Sequence, residues 1–216
     1  GNIENLSRNG ILIPSVSTLA MDDFSYIYEL TASYKEDNKL YQVTDAATEN
    51  YSTDLNSQTS SSNYVYDSIG RLIEDKAEGI TNIVWNVANK IMSIVKSGQT
   101  INFAYDPMGN RISKTDNLAS GSTTTFYVRD AQGNVMATYK HFVTPPGESM
   151  PVNELSINDF HIYGSSRLGT KNHDVLLYSN VSYPFYPEPT HRILGTKRYE
   201  LANHLGNVLE VISDRK

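Results

Sequence analysis

Tyr64-Val65-Tyr66-Asp67-Ser68-Ile69-Gly70-Arg71-Leu72-Ile73 decides the reading of the fold, because it returns as Phe103-Ala104-Tyr105-Asp106-Pro107-Met108-Gly109-Asn110-Arg111-Ile112-Ser113. Between the two sits Val84-Trp85-Asn86-Val87-Ala88-Asn89-Lys90-Ile91, a copy with Trp for Tyr and Asn for both Asp and Gly. Asn89 lies 19 positions after Gly70 and 20 before Gly109. A later copy is Phe126-Tyr127-Val128-Arg129-Asp130-Ala131-Gln132-Gly133-Asn134-Val135, and an earlier one is Tyr34-Lys35-Glu36-Asp37-Asn38-Lys39-Leu40. Asn5-Leu6-Ser7-Arg8-Asn9-Gly10-Ile11-Leu12 reads as a copy cut at its start. A repeat of about 20 residues predicts stacked supersecondary units.

One unit can be read physically. An alternating strand ends in Tyr-Asp, and the Asp caps a turn by bonding backbone N–H groups two residues on. Gly, or Asn in its place, supplies the positive φ that lets the chain reverse. Arg or Asn and then an aliphatic residue begin the returning strand. The predicted turn positions are Asp67, Gly70, Asn89, Asp106, Gly109, Asp130, Gly133 and Gly206. A lone hairpin is marginal in water, so neighbouring units must pair edge to edge.

Outward from the repeats, Phe24, Tyr26, Tyr28 and Leu30 alternate with Ser25, Ile27 and Glu29, which predicts a strand and not a helix over Leu19–Leu30. Asn50–Asn63 is rich in Ser, Thr and Asn and reads as a mobile loop or ragged hairpin tip. Pro145-Pro146-Gly147-Glu148-Ser149-Met150-Pro151 reads as a loop or hinge. Tyr183-Pro184-Phe185-Tyr186-Pro187-Glu188-Pro189 carries three prolines and reads as a surface loop or polyproline II segment. The expected organisation is all-β: repeated antiparallel hairpins over 1–140, a Pro/Gly linker or loop over 141–153, and a distinct segment over 154–216, joined in one curved, twisted sheet.

Composition agrees. The 216 residues include 15 Tyr, and Tyr has an apolar body and a polar tip suited to half-buried sheet faces. The net charge of −6, with no basic stripe, argues against nucleic acid. Cysteine is absent, which rules out disulfides and thiolate metal sites. No stretch reaches 18 apolar residues, so no membrane span is expected. The chain opens Gly1-Asn2-Ile3, without initiator Met or signal peptide, and reads as a piece of a longer polypeptide.

The Tyr-Asp-x-x-Gly-Arg/Asn-Leu/Ile units resemble those of YD/RHS-repeat proteins. His161-Ile162-Tyr163-Gly164-Ser165-Ser166-Arg167-Leu168-Gly169 and Arg198-Tyr199-Glu200-Leu201-Ala202-Asn203-His204-Leu205-Gly206-Asn207-Val208-Leu209-Glu210-Val211-Ile212-Ser213-Asp214 resemble the RHS-repeat-associated core of the Bacteroidetes type. Together these resemblances cover nearly the whole chain. They imply a hollow β-shell enclosing a variable, often toxic, C-terminal domain, and a secreted or cell-surface location. The implied partners are the rest of the repeat chain and the enclosed domain. Many members close the shell with a segment that cleaves the chain at an Asp-Pro-x-Gly string. Asp106-Pro107-Met108-Gly109 matches that string only superficially and reads as a hairpin turn, with Pro107 pre-setting φ.

The other motifs point to little chemistry. His141, His161, His173, His191 and His204 show no metal-ligand spacing, and His161 and His204 read as structural, bonding across the sheet. In Gly164-Ser165-Ser166-Arg167-Leu168-Gly169-Thr170-Lys171 the Thr precedes the Lys, the reverse of a phosphate-binding loop, and a turn with a basic rim is expected. Asp67, Asp106 and Asp130 recur with the repeat, which fits capping; catalysis needs one site, not one per repeat. No catalytic, cofactor or metal site is expected. Trp85, Tyr64, Tyr66 and Tyr105 are candidates for stacking on sugar rings, the alternative being cross-strand packing. A surface module binding glycans or a protein is accordingly the second functional expectation.

Overall fold

The structure is a computed structural model that describes residues 2–10, 19–28, 38–47, 55, 57–145, 147–148, 150–181, 194–203 and 205–215. Every regular element among them is a β-strand. The first three, β1 (Asn5–Gly10), β2 (Leu19–Tyr28) and β3 (Leu40–Asp45), form a sheet of their own. The other twelve are β4 (Tyr64–Tyr66), β5 (Leu72–Asp75), β6 (Ile80–Trp85), β7 (Ile91–Lys96), β8 (Gln99–Tyr105), β9 (Arg111–Leu118), β10 (Gly121–Arg129), β11 (Val135–Val143), β12 (Asn153–Tyr163), β13 (Arg167–Ser179), β14 (Lys197–Ala202) and β15 (Val208–Ser213). They lie side by side in strict sequence order, as antiparallel hairpins joined edge to edge require, and the sheet does not close into a barrel. The fold is all-β, as the repeats predict.

The chain divides into two compact units, Gly1–Trp85 with Ser93–Gly98, and Asn86–Met92 with Gln99–Lys216. In the first unit the expectation of one sheet needs correction. β3 is followed by a segment that substitutes side-chain bonds for a strand ladder. The Gln58 N–H donates to the Val43 carbonyl (3.0 Å), and the Val43 N–H donates to Gln58 Oε1 (2.8 Å). The ladder of the three-stranded sheet stops there. Asn63, only 1% exposed, makes the next join. Its N–H donates to the Tyr41 carbonyl (2.8 Å), its Nδ2 to Asp75 Oδ1 (2.9 Å), and its Oδ1 accepts from the Ala77 N–H (2.7 Å). The described part of the expected mobile loop 50–63 is thus pinned by two buried amide side chains.

Few apolar side chains are buried among the described residues: Phe24, Val43 and Ile83 in the first unit and Ala137 in the second. Asp22, opposite Arg8 in the β1–β2 ladder, is buried and ion-paired with it. Asn9 and Gly10 pair with Ala20 and Leu19, so the chain does not reverse at Gly10 as the truncated copy suggested. Leu19–Tyr28 is strand, matching its alternation. The copy at Tyr34–Leu40 is described only from Asn38, and the triple-proline stretch lies outside the described residues.

In the second unit the hairpins lengthen towards β12 and β13, of 11 and 13 residues. Of the stretch 141–153, residues 141–143 complete β11, Asn153 opens β12, and the connection is pinched by Thr144, whose N–H donates to the Val152 carbonyl (3.0 Å).

Asn63→Ala leaves the Ala77 N–H without its acceptor and removes the amide donor to Asp75. It is expected to destabilise the chain by about 2 to 3 kcal/mol. Urea unfolding measures this, with the exposed neighbour Ser61→Ala as the near-neutral control.

Candidate functional site

The recurrent feature is a five-residue turn found at Asp67–Arg71, Asn86–Lys90, Asp106–Asn110, Asp130–Asn134 and Asn203–Asn207. In each, the first residue's N–H donates to the carbonyl of the fifth, and the fourth residue's N–H donates back to the first carbonyl, at 2.9–3.1 Å. The fourth position has positive φ: 87° at Gly70, 56° at Asn89, 84° at Gly109, 90° at Gly133 and 83° at Gly206. This is a type I turn closed by a left-handed residue, a hairpin connection that L side chains other than Asn adopt only at a cost. Asn89 shows why Asn can stand where its sister turns have Gly.

The first side chain completes the turn. Asp67 Oδ1 accepts from the Ile69 and Arg71 N–H groups (3.0 and 2.9 Å). Asn86 Oδ1 accepts from Ala88 and Lys90 (both 2.9 Å), Asp130 Oδ1 from Gln132 and Asn134 (2.9 and 2.8 Å), and Asn203 Oδ1 from Leu205 and Asn207 (both 3.0 Å). Asp106 Oδ1 accepts from the Asn110 N–H at 2.8 Å. Where the first residue is Asp, its second oxygen takes the fifth side chain: Arg71 Nε (2.6 Å), Asn110 Nδ2 (3.0 Å) and Asn134 Nδ2 (2.9 Å). The Arg or Asn that follows Gly70, Gly109 and Gly133 therefore closes the turn before it starts the returning strand. Asp106-Pro107-Met108-Gly109 is one of these turns.

These bonds hold the carboxylates ionised. Asp67 is lowered from the ordinary 3.8 chiefly by the Arg71 N–H, and Asp106 and Asp130 chiefly by the Asn110 and Asn134 side chains.

The turns at Asp67, Asp106, Asp130 and Asn203 are each followed by a bulge. Tyr66 pairs with Leu72 while Val65 pairs with Glu74, leaving Ile73 extra; Ile112, Met136 and Leu209 are extra in the same way. The bulge accompanies a second bond that joins one unit to the next. The side chain directly before the turn reaches the preceding unit and donates to the carbonyl of its first returning residue. Trp85 Nε1 donates to Leu72 (2.8 Å), Tyr105 Oη to Ile91 (2.9 Å), Arg129 Nε and Nη2 to Arg111 (3.2 and 3.1 Å), and Tyr163 Oη to Val135 (3.0 Å). Tyr66 Oη makes the same bond to Leu40 at 2.8 Å. Single copies of the repeat give no sign of this seam. The signal lies in comparing copies, since Tyr66, Trp85, Tyr105 and Arg129 are all long side chains with a donor at the tip.

Three of the four aromatics weighed as a sugar platform, Trp85, Tyr66 and Tyr105, are thus seam residues. The fourth, Tyr64, accepts from Gln58 Nε2 (2.8 Å). All four are half-buried, and the Arg71 guanidinium lies 5.8 Å from the centre of the Trp85 ring.

The histidines take other roles. His141 Nε2 shares a hydrogen bond with Asn153 Oδ1 (2.8 Å), and His173 packs on Phe160 with ring centroids 5.3 Å apart. The buried Nδ1 of His161 has no hydrogen-bond partner, against the expected bond across the sheet; the ring stacks beside Tyr163 instead, and burial lowers its pKa. His191 and His204 lie outside the described residues. Gly164–Ser166 turns β12 into β13, so the string that mimics a phosphate loop is a hairpin. Among the described residues no group of three or more His, Asp or Glu is placed to hold a metal ion.

Two outcomes are expected. Tyr105→Phe removes one seam bond and lowers stability by about 1 kcal/mol in urea unfolding. The turn carboxylates are more acidic folded than unfolded, so the stability they contribute is present above 3.8 and lost as pH falls through their depressed values. Replacing Asp67, Asp106 and Asp130 together by Asn, the residue already serving at Asn86 and Asn203, removes that acid loss. The check is the urea midpoint followed from about pH 5 to pH 2. Set against known proteins, the chain matches no family model and no curated protein.

Proposed function

We propose that this chain is a non-catalytic structural part of a secreted or surface protein of the YD/RHS-repeat kind, contributing to a β-shell around a C-terminal, toxin-like domain. The observation that carries this reading is the seam: five side chains, at the successive junctions from β3–β4 to β11–β12, each bonding the unit before it. A bond repeated at successive junctions builds length, whereas a reactive centre is built once. The recurrent carboxylates fit the same role, because their oxygens are occupied by the turns they cap.

A surface module that stacks sugars is the less favoured reading. Trp85, Tyr66 and Tyr105 direct their polar tips into the framework.

Limited proteolysis tests the shell. In the parent polypeptide, the domain after this region should resist protease when residues 1–216 are present and be digested when they are deleted. Equal digestion of both overturns the shell. A glycan-array signal that Trp85→Ala abolishes without loss of folding would favour the surface module.

A further inference from the structure

Gly169-Thr170-Lys171 and Gly195-Thr196-Lys197 are one tripeptide written twice, and the fold lays the copies side by side. The first lies within β13; the second runs from the turn before β14 into its first residue. β14 pairs with β13 through Gly169 with Tyr199, Thr170 with Arg198 and Lys171 with Lys197. The Asn172 N–H donates to the Thr196 carbonyl (2.8 Å), which makes that neighbouring pair hydrogen-bonded and Lys171–Lys197 a non-hydrogen-bonded pair. Such a pair holds its side chains on one face, with Cβ atoms about 4.5 to 5.5 Å apart.

Like charges set directly opposite each other destabilise a sheet unless something negative lies between them. Both lysines are half-buried, and among the described residues neither is ion-paired. The nearby carboxylates are engaged elsewhere. Glu200 pairs with Arg167, and its odd spacing from Lys197 puts it on the other face of β14. Asp214, beside Lys197 at the end of β15, turns its Oδ1 to the N–H groups of Gly195 and Lys197 (2.6 and 3.3 Å). On the β12 side Lys171 meets Phe160, on whose ring His173 packs. The register cannot slip to part the lysines. Gly169 is buried, and a Cβ there would stand 1.9 Å from the Arg198 carbonyl oxygen, so the close approach of β14 fits Gly169 and not Leu168 or Thr170.

We propose that Lys171 and Lys197 form a site for a doubly charged oxyanion of the phosphate or sulfate class, bound across the β13–β14 junction. Each ammonium donates to a different oxygen of one anion, and the two negative charges match the two cations. The bound anion touches both strands and so clamps a junction held by three residue pairs. The lysines stand apart from the turns and the seam, so the shell reading neither requires this site nor supplies it.

The test uses the whole chain at neutral pH, with sodium sulfate and sodium phosphate as probes and chloride and acetate at equal ionic strength as controls. Either dianion should slow amide exchange at Asn172, by about tenfold when the anion stands at ten times its dissociation constant; chloride and acetate should not. Sulfate and phosphate also stabilise proteins by exclusion from their surface, and that background is read from the variants. Lys171→Gln and Lys197→Gln should each abolish the specific slowing, yet leave the urea midpoint in chloride unchanged or higher, because each removes the repulsion. Lys197→Arg should keep the slowing. No slowing in the unaltered chain, or slowing that both Gln variants retain, overturns the site. A lower midpoint in chloride for both Gln variants means that the lysines support the sheet unaided, and overturns it too. Equal slowing by acetate overturns the proposed ligand class.

Discussion

A side-chain oxygen one residue past the end of a strand, accepting the N–H groups that the reversing backbone would otherwise expose, is the constraint on which the architecture depends. It fixes where each hairpin turns. The left-handed residue three positions later fixes how the turn closes, and the bulge that follows brings one carbonyl within reach of a donor on the next outgoing strand. With so few buried apolar side chains among the described residues, such bonds carry a larger share of the specificity there than they would in a layered domain. Hydrogen bonds made at fixed sequence offsets define register where a thin hydrophobic face cannot.

The turns were legible because everything they need lies within five residues. Asp67, Asp106 and Asp130 announce themselves as caps, and Gly70, Gly109 and Gly133 as left-handed positions. Asn203 belongs to the same class, with Ala202 in place of the usual tyrosine. The seam was not legible in any single unit, because donor and acceptor lie 13 to 28 residues apart. Arg129 shows the difficulty. It replaces an aromatic residue, so it reads as divergence, yet its guanidinium reaches the same carbonyl position that Tyr and Trp reach elsewhere.

The join between the two sheets escaped the sequence for a different reason. A run of Ser, Thr and Asn has the composition of a loop, and composition does not say whether one amide side chain will imitate a strand. Gln58 does so, donating to Tyr64 and accepting from Val43, and the Asn63 side chain serves Asp75 and Ala77 from a fully buried position. Asn9-Gly10 is the converse case. It looks like a turn and is strand, because its partners Ala20 and Leu19 continue the ladder through it.

The bulge residues carry a consequence for how such a molecule changes over generations. Each seam refers only to the unit immediately behind it, so inserting or losing a whole block leaves the chemistry of every surviving junction unaltered. A single-residue insertion between cap and glycine, by contrast, spoils one turn and misplaces one carbonyl. Gene duplication in whole blocks is therefore the tolerated route to longer or shorter ribbons, and frame-preserving point insertions inside a block are the route that selection removes.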